Sequence, residues 1–270
     1  MQFIYLKRSF TWFWELAKTL FQFWYKNLSE TPAVLRFFIK KTAYIQIFLD
    51  RNVHTEKRQE SYQDFLVKLE KMYQKNKGKF NPKDQKSYNN LGKLLDTKQQ
   101  ILYFLIRKIK PEIMVETGVA AGESTGYILA AMDKNKKGKL YSIDLPFQWY
   151  IYGDHELHLD SLPPGKLPGY LVPENLKSRW KLILGDTYKK LPQLLKKLNS
   201  IDIFLHDSEH TDKTMTFEYK ISLPYIKRGG FLLSDDVNFT KAFKNFTRSE
   251  ELPHIILEKE GQIGITYRKK

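Results

Sequence analysis

IMVETGVAAGEST, residues 113–125, runs from a short apolar stretch ending in an acid, through a turn bearing Gly118 and Gly122, into the start of a helix. Glycine at such a turn lets the backbone approach a ligand closely, and the helix N-terminus beyond it offers unpaired N–H donors. The turn lacks the G-x-G-x-x-G dinucleotide pattern, which disfavours a nicotinamide-dependent oxidoreductase. Working outward, the same succession of strand, acid and helix repeats. Glu116 follows IMV, Asp144 follows LYSI, Asp186 follows LILG, Asp207 follows IFLH, and Asp235 with Asp236 follows FLLS. Helical patterns over Ser124 to Asp133, Tyr188 to Leu198 and Asp212 to Ile221 separate these runs.

Such alternation implies right-handed crossovers and a mostly parallel α/β sheet, whose ligands sit outside the carboxyl ends of the strands. The five acidic strand ends therefore converge on one crevice. Past a short helix near Lys241 to Thr247, HIILEK and IGITYR lie a few residues apart and predict a terminal antiparallel pair. Upstream, Thr97 to Lys108 reads as a helix leading into the first strand. Residues 56–75 read as an amphipathic helix presenting Tyr62, Phe65, Leu66, Leu69, Met72 and Tyr73, and 75–90 as a polar loop.

The chain has 270 residues, enough for one large α/β domain with an appendage. It contains no cysteine, which removes disulfides, thiolate ligands and a cysteine nucleophile. Its net charge of +15 is unevenly placed: residues 1–110 hold 22 Lys and Arg against 9 acids, and residues 111–270 hold 23 against 21. A basic half of this kind points to an anionic surface, phosphate or lipid headgroup, and says little about fold.

Residues 1–50 carry 14 of the 39 aromatics, with Phe13, Trp14, Ala17, Leu20, Phe21 and Trp24 at helical spacing. Lys18, Lys26, Arg36, Lys40 and Lys41 interrupt every apolar run well short of the roughly 20 residues of a membrane span. No compact apolar core precedes a small-residue cleavage site, so no cleavable signal is expected. Aromatic rings flanked by cations suit peripheral contact with an anionic membrane, but such stripes mostly serve as a face packed on the chain's own domain or on a second subunit of a homo-oligomer, with nucleic acid a third alternative. Residues 1–95 are thus expected to be a basic, aromatic-rich α-helical extension, and residues 96–270 the catalytic-type domain. The expected location is the cytoplasm, with peripheral membrane association.

Between residues 100 and 245 the chain resembles class I S-adenosylmethionine-dependent methyltransferases. The pieces that carry the resemblance are RKIKPEIMVETGVAAGEST, LYSIDLP, LPPGKLPGYLVPENLKSRWKLILGDT, IDIFLHDSEHT and YIKRGGFLLSDDVNFTKAF. They are most similar to a subgroup related to catechol and macrocin O-methyltransferases and cephalosporin-hydroxylase-like proteins. The resemblance implies a Rossmann-like, seven-stranded, mostly parallel sheet with a reversed terminal strand, and S-adenosylmethionine as cofactor. Glu116 and Gly118 would flank the methionine portion, and Ala120, Gly122 and Ser124 of the same turn would also bind the cofactor. Asp144 would meet the ribose hydroxyls, as its place 22 residues beyond Gly122 also suggests, and Asp186 the adenine end.

Asp207, Asp235 and Asp236 end two strands that would be neighbours, and their oxygens suit a hard divalent ion, magnesium or manganese. In catechol-type relatives a similar set holds an ion that binds the acceptor hydroxyl, with Asn often at the position of Asp236. The alternative for these acids is an N-cap at Asp235 and a surface carboxylate at Asp236. His210, three residues after Asp207, stands where relatives place a base. His206, Asp207 and His210 could also be read as a zinc set, but the carboxylate-rich surroundings favour a harder ion. The loop from Pro146 to Trp180, with Trp149, Tyr150, Tyr152, His155, His158 and Tyr170, reads as a lid or acceptor pocket.

The expected activity is metal-assisted O-methylation of a small-molecule or sugar hydroxyl, with Asp207 and His210 as catalytic residues. Two rivals are an RNA methyltransferase and a non-catalytic membrane-surface protein that keeps the fold. Nucleic acid is disfavoured because the basic excess lies outside the catalytic-type domain.

Overall fold

The computed structural model describes residues 55–91, 97–146, 150–152, 156–158, 162, 166–257 and 263–269. The expectations for residues 1–50, the aromatic face and its membrane, nucleic-acid or subunit contacts, lie outside the described residues. Among the described residues no helix is long and apolar enough to cross a membrane. The chain divides into two units, Met1–Phe65 and Leu66–Lys270. Of the first, only the opening turns of helix α1 (Thr55–Asn76) are described.

In the second unit the remainder of α1 buries Leu66, Leu69 and Tyr73, three residues of the anticipated face. Helix α2 (Gln85–Leu91) falls partly within the stretch expected to be a loop. Asp84 nucleates it by accepting from the backbone N–H groups of Lys86 and Ser87, the usual work of an Asp cap. Helix α3 (Lys98–Ile109) is capped by Thr97, whose hydroxyl accepts from the Gln100 N–H, and ends at Lys110 in the left-handed region. Its run Leu102 to Ile106 is fully buried.

Strand β1 (Ile113–Thr117) and helix α4 (Glu123–Asn135) follow, then β2 (Lys139–Asp144). The stretch expected to be a long loop carries a small hairpin, β3 (Tyr150–Tyr152) with β4 (Glu156–His158), and a 3-10 turn over Glu174–Arg179. Then come β5 (Trp180–Leu184), α5 (Thr187–Leu198), β6 (Ile201–His206), α6 (Asp212–Ser222), β7 (Ile226–Ser234), α7 (Ala242–Ser249), β8 (His254–Ile256) and β9 (Gly264–Tyr267).

The main sheet has seven strands in the order β5-β2-β1-β6-β7-β9-β8. The first five are mutually parallel, and β9 runs antiparallel to both of its neighbours. The expected sheet, with its reversed terminal strand, is therefore present. From β1 the chain winds outward to β2 and β5, then returns to β6 on the other side of β1. The switch point lies between the carboxyl ends of β1 and β6, where Gly118 and Asp207 begin their loops.

One face of the sheet buries Val115, Ile143, Phe204 and Leu232 with Leu191 and Leu195 of α5, Met215 and Tyr219 of α6, and Phe243 and Phe246 of α7. Side chains alternate along a strand, so Met114 and Glu116 point to the opposite face, where α4 lies and is packed by α3.

Helix α3 is fixed to α1 by a buried polar clamp. Arg107 makes two bonds to the Glu70 carboxylate, at 2.9 and 2.7 Å, and the Tyr103 hydroxyl donates to the same group. The Arg107 guanidinium also lies 4.6 Å from the centre of the Tyr73 ring, and Tyr73 meets Phe104 edge to face. Although burial raises the Glu70 carboxyl, bonds from Arg107, Tyr103 and Gln74 hold it down at about 2. The ionised form is thus the bound one, and its contribution is present above the ordinary carboxylate range and lost as pH falls toward 2. Glu70→Ala should cost roughly 2 to 4 kcal/mol in urea denaturation by stranding Arg107. A loss under about 0.5 kcal/mol would mark the clamp as no more than a surface pair.

Candidate active site

Gly118 sits where β1 turns out of the sheet, with φ 79°. A Cβ at this position would lie 1.9 Å from the Asp207 carbonyl oxygen, so no other residue fits. Its N–H donates to the Ile143 carbonyl, and the Asp207 N–H donates to that of Thr117, which locks the ends of β2, β1 and β6 together. Gly122, at φ 93°, meets Gly169 in the same way, at 2.6 Å from the added Cβ. Ala120, at φ 47°, accepts from the Gly169 N–H at 2.8 Å. Both glycines serve the chain's own close contacts.

Asp144 reaches back over this turn. Its Oδ2 accepts from the Val119 and Ala120 N–H groups at 2.9 and 2.8 Å, and its Oδ1 from that of Leu145. Two of the turn amides expected to face a ligand are thus bound by the residue expected to face the ribose. Asp186 caps α5, accepting from the Tyr188 N–H at 2.9 Å.

Glu116 is fully buried. Its Oε2 accepts from Thr125 at 2.9 Å and from Ser142 at 2.6 Å, while Oε1 is buried with no hydrogen-bond partner. The Trp180 indole N–H supports Ser142 from behind. Burial pushes the Glu116 carboxyl up to about 7, against the lowering effect of those hydroxyls and of the Lys98 charge.

Across the switch point stands a second group. The Lys98 ammonium, from the first turn of α3, lies 3.1 Å from Asp207 Oδ2 and 3.3 Å from its Oδ1, and is in contact with Asp235 Oδ2. Ser124, at the start of α4, also donates to Asp207. Asp235 Oδ1 is buried and has no hydrogen-bond partner. Burial and the charge of Asp235 push Asp207 well above the usual carboxylate range. Asp235 is lowered, burial notwithstanding, by its bonds to Asp207 and Lys98.

The strand-end acids therefore divide. Ligand atoms of Asp207, His210 and Asp235 lie within 4.8 Å of one another, a separation suited to one cation, while Asp236 stands outside that group. Asp236 instead sits 3.5 Å from His210 Nε2, with its backbone in the left-handed region at φ 48°. Neither the anticipated cap at Asp235 nor a free surface position at Asp236 describes these two residues. His210 Nδ1 is buried without a hydrogen-bond partner, and burial together with nearby His206 lowers the ring's pKa. The exposed Phe239 ring is 5.6 Å from the His210 ring, an apolar surface at the edge of the group.

Beneath His210 lies a pair the sequence did not single out. Glu218, fully buried on α6, binds His206 Nδ1 at 2.7 Å and accepts from Ser208 and Thr117. The signal was present: Met215, Glu218, Tyr219 and Ser222 fall at i, i+3, i+4 and i+7 on the buried face of α6, and an acid on such a face needs a partner. Lys98 was also missed, since nothing local links it to an acid 109 residues away.

The parallel sheet with a reversed last strand is a Rossmann-like, methyltransferase-type fold, and acids gather at its switch point. The match to a known family agrees: residues 115–237 fit the family model described as a methyltransferase domain. No curated protein matches the chain. Similar solved structures include a SAH-bound methyltransferase of Podospora anserina, at 14% identity over 64% of this chain and 78% of that chain, with a TM-score of 0.47. An O-methyltransferase of Bacillus cereus in complex with SAH has 13% identity over 75% of this chain and 90% of that one, with a TM-score of 0.48. A putative O-methyltransferase of Klebsiella pneumoniae has 16% identity over 64% and 80%, with a TM-score of 0.44.

The raised Glu116 carboxyl makes stability depend on pH. The folded chain keeps the proton between the unfolded value of 4.5 and about 7, so its contribution is full below 4.5 and declines as pH rises toward 7. Glu116→Gln, which cannot ionise, should gain on the wild type by up to roughly 3 kcal/mol between pH 4.5 and 8 in chemical denaturation. Parallel pH profiles for the two proteins would refute the assignment.

Proposed function

We propose that this protein is an S-adenosylmethionine-dependent methyltransferase acting on a hydroxyl of a small molecule. The observation that carries the reading is the pairing, across the switch point of a methyltransferase-type domain, of two partnerless buried acceptors: Glu116 Oε1 on one side and His210 Nδ1 on the other. Bound S-adenosylmethionine supplies an electrophilic methyl group on a sulfonium. Glu116 Oε1 fits an N–H or a positive charge of that ligand, which would also favour its ionised form. Asp144 after β2 would meet the ribose and Asp186 after β5 the adenine end.

His210 has the attributes of a base. Asp236 beside Nε2 favours the tautomer with the proton there, leaving the Nδ1 lone pair to take the proton of the acceptor hydroxyl. His210 would take up that proton as the acceptor oxygen becomes nucleophilic toward the methyl group. The enzyme's part is alignment and removal of the proton. Phe239 offers an apolar face to the acceptor, which suits a sugar or an aromatic ring.

For a divalent ion, the chain's donors would be Asp207, His210 and Asp235. An ion could bind them only by displacing Lys98.

S-adenosylhomocysteine should bind in calorimetry, and Asp144→Ala should weaken it by about 1 to 3 kcal/mol. His210→Ala should lower turnover on a hydroxyl acceptor on the order of 100-fold while leaving that affinity nearly unchanged. Absence of nucleoside binding by the wild type would overturn the reading, and full turnover in the His210 variant would remove the base.

A further inference from the structure

We infer that Lys98 is the resident cation of the acceptor site: its ammonium occupies the place between Asp207 and Asp235 that a divalent ion would otherwise take, and the site is built to work with this lysine. Only the word acceptor rests on the proposed methyl transfer; the occupancy stands on geometry.

Lys98 is the first residue of α3. That is a poor place for a cation, because the positive end of the helix dipole and the unpaired N–H groups favour an anion there. The position is compensated from outside the helix. The ammonium has three donors, and three carboxylate oxygens surround it: both of Asp207 and Oδ2 of Asp235. The side chains of Lys98, Asp207 and Asp235 are only 16%, 17% and 7% exposed, so solvent screens this contact little.

Charge completes the case. Two buried carboxylates need two positive charges, or one positive charge and one proton. Lys98 supplies a positive charge in direct contact with both carboxylates. A magnesium or manganese ion needs these same oxygens at about 2.0 to 2.2 Å, which leaves no room for an ammonium in contact with them. To bind, the ion would have to expel the ammonium.

The arrangement also assigns the free valences. Lys98 uses Oδ2 of Asp235 and leaves Oδ1 without a partner, as Nδ1 of His210 is. Both atoms are acceptors, and of the two it is the imidazole nitrogen of His210 that suits the proton of an acceptor hydroxyl. Lys98 then acts as a positioning residue that holds the acid pair, while touching neither reacting atom.

Manganese itself is the probe, followed by electron paramagnetic resonance on the full chain at neutral pH. Wild-type protein should leave the free-ion spectrum unchanged up to about a millimolar, and Lys98→Met should acquire one site per chain, at least roughly tenfold tighter. Lys98→Arg should not acquire it, and Asp235→Asn added to Lys98→Met should abolish it. Stoichiometric manganese binding by the wild type that disappears in Asp235→Asn would overturn the inference. So would a Lys98→Met variant that is folded by circular dichroism yet gains no site. Should Lys98→Met not fold, the wild-type and Lys98→Arg titrations still decide. Calorimetry with S-adenosylhomocysteine on the same samples separates the two claims: failure there removes the methyl-transfer reading, and the manganese result still judges Lys98.

Discussion

The contact between Gly118 and the Asp207 backbone is the constraint on which the site depends. With a Cβ-to-oxygen separation of 1.9 Å, any side chain at 118 would force apart the loops that leave β1 and β6. Those loops carry the two halves of the crevice. Glu116 lies two residues before the contact and the acid pair stands at the ends of β6 and β7, so one missing methyl group sets the distance between Glu116 and the acid pair. The reciprocal bonds from Gly118 to Ile143 and from Asp207 to Thr117 extend that register to β2.

Buried ionisable groups are organised around this contact in distinct layers. Lys98, Asp207 and Asp235 form a compensated cluster nearest the crevice, and Glu218 with His206 forms another behind it. Glu218 is held below its ordinary value, burial notwithstanding, by His206, Thr117 and Ser208. Low dielectric makes every unmatched charge costly, so each layer restricts where the other can move. His210 lies between them, its ring 5.5 Å from that of His206, and its position is accordingly defined on two sides.

Much of the fold was legible because its signals are local. Strand runs ending in acids, helices between them and the close spacing of the last two runs specified the sheet and its reversed strand. The topological rule for open sheets then placed the acids together. What escaped notice depended on short elements or distant partners. The helix Gln85–Leu91 rests on one Asp cap, and the hairpin Tyr150–Tyr152 with Glu156–His158 is too short to show a periodic pattern. At the site, proximity was foreseeable and allegiance was not. Asp144 binds the turn, Asp186 caps a helix, Asp236 turns to His210, and Asp235 joins a lysine from a helix that precedes the first strand of the sheet.

That lysine lies outside residues 115–237, the span by which the domain is recognised. Its helix is held in turn by Glu70, further still toward the N-terminus. A chain trimmed to the recognised span would retain the strands from β2 through β7 and every acid of the crevice, yet would present Asp207 and Asp235 without the Lys98 counter-charge. Kinship by domain alignment and completeness of a working site are thus different boundaries in this protein. Substitutions on the way from Glu70 to Lys98 would alter the crevice without touching the span that fits the domain model.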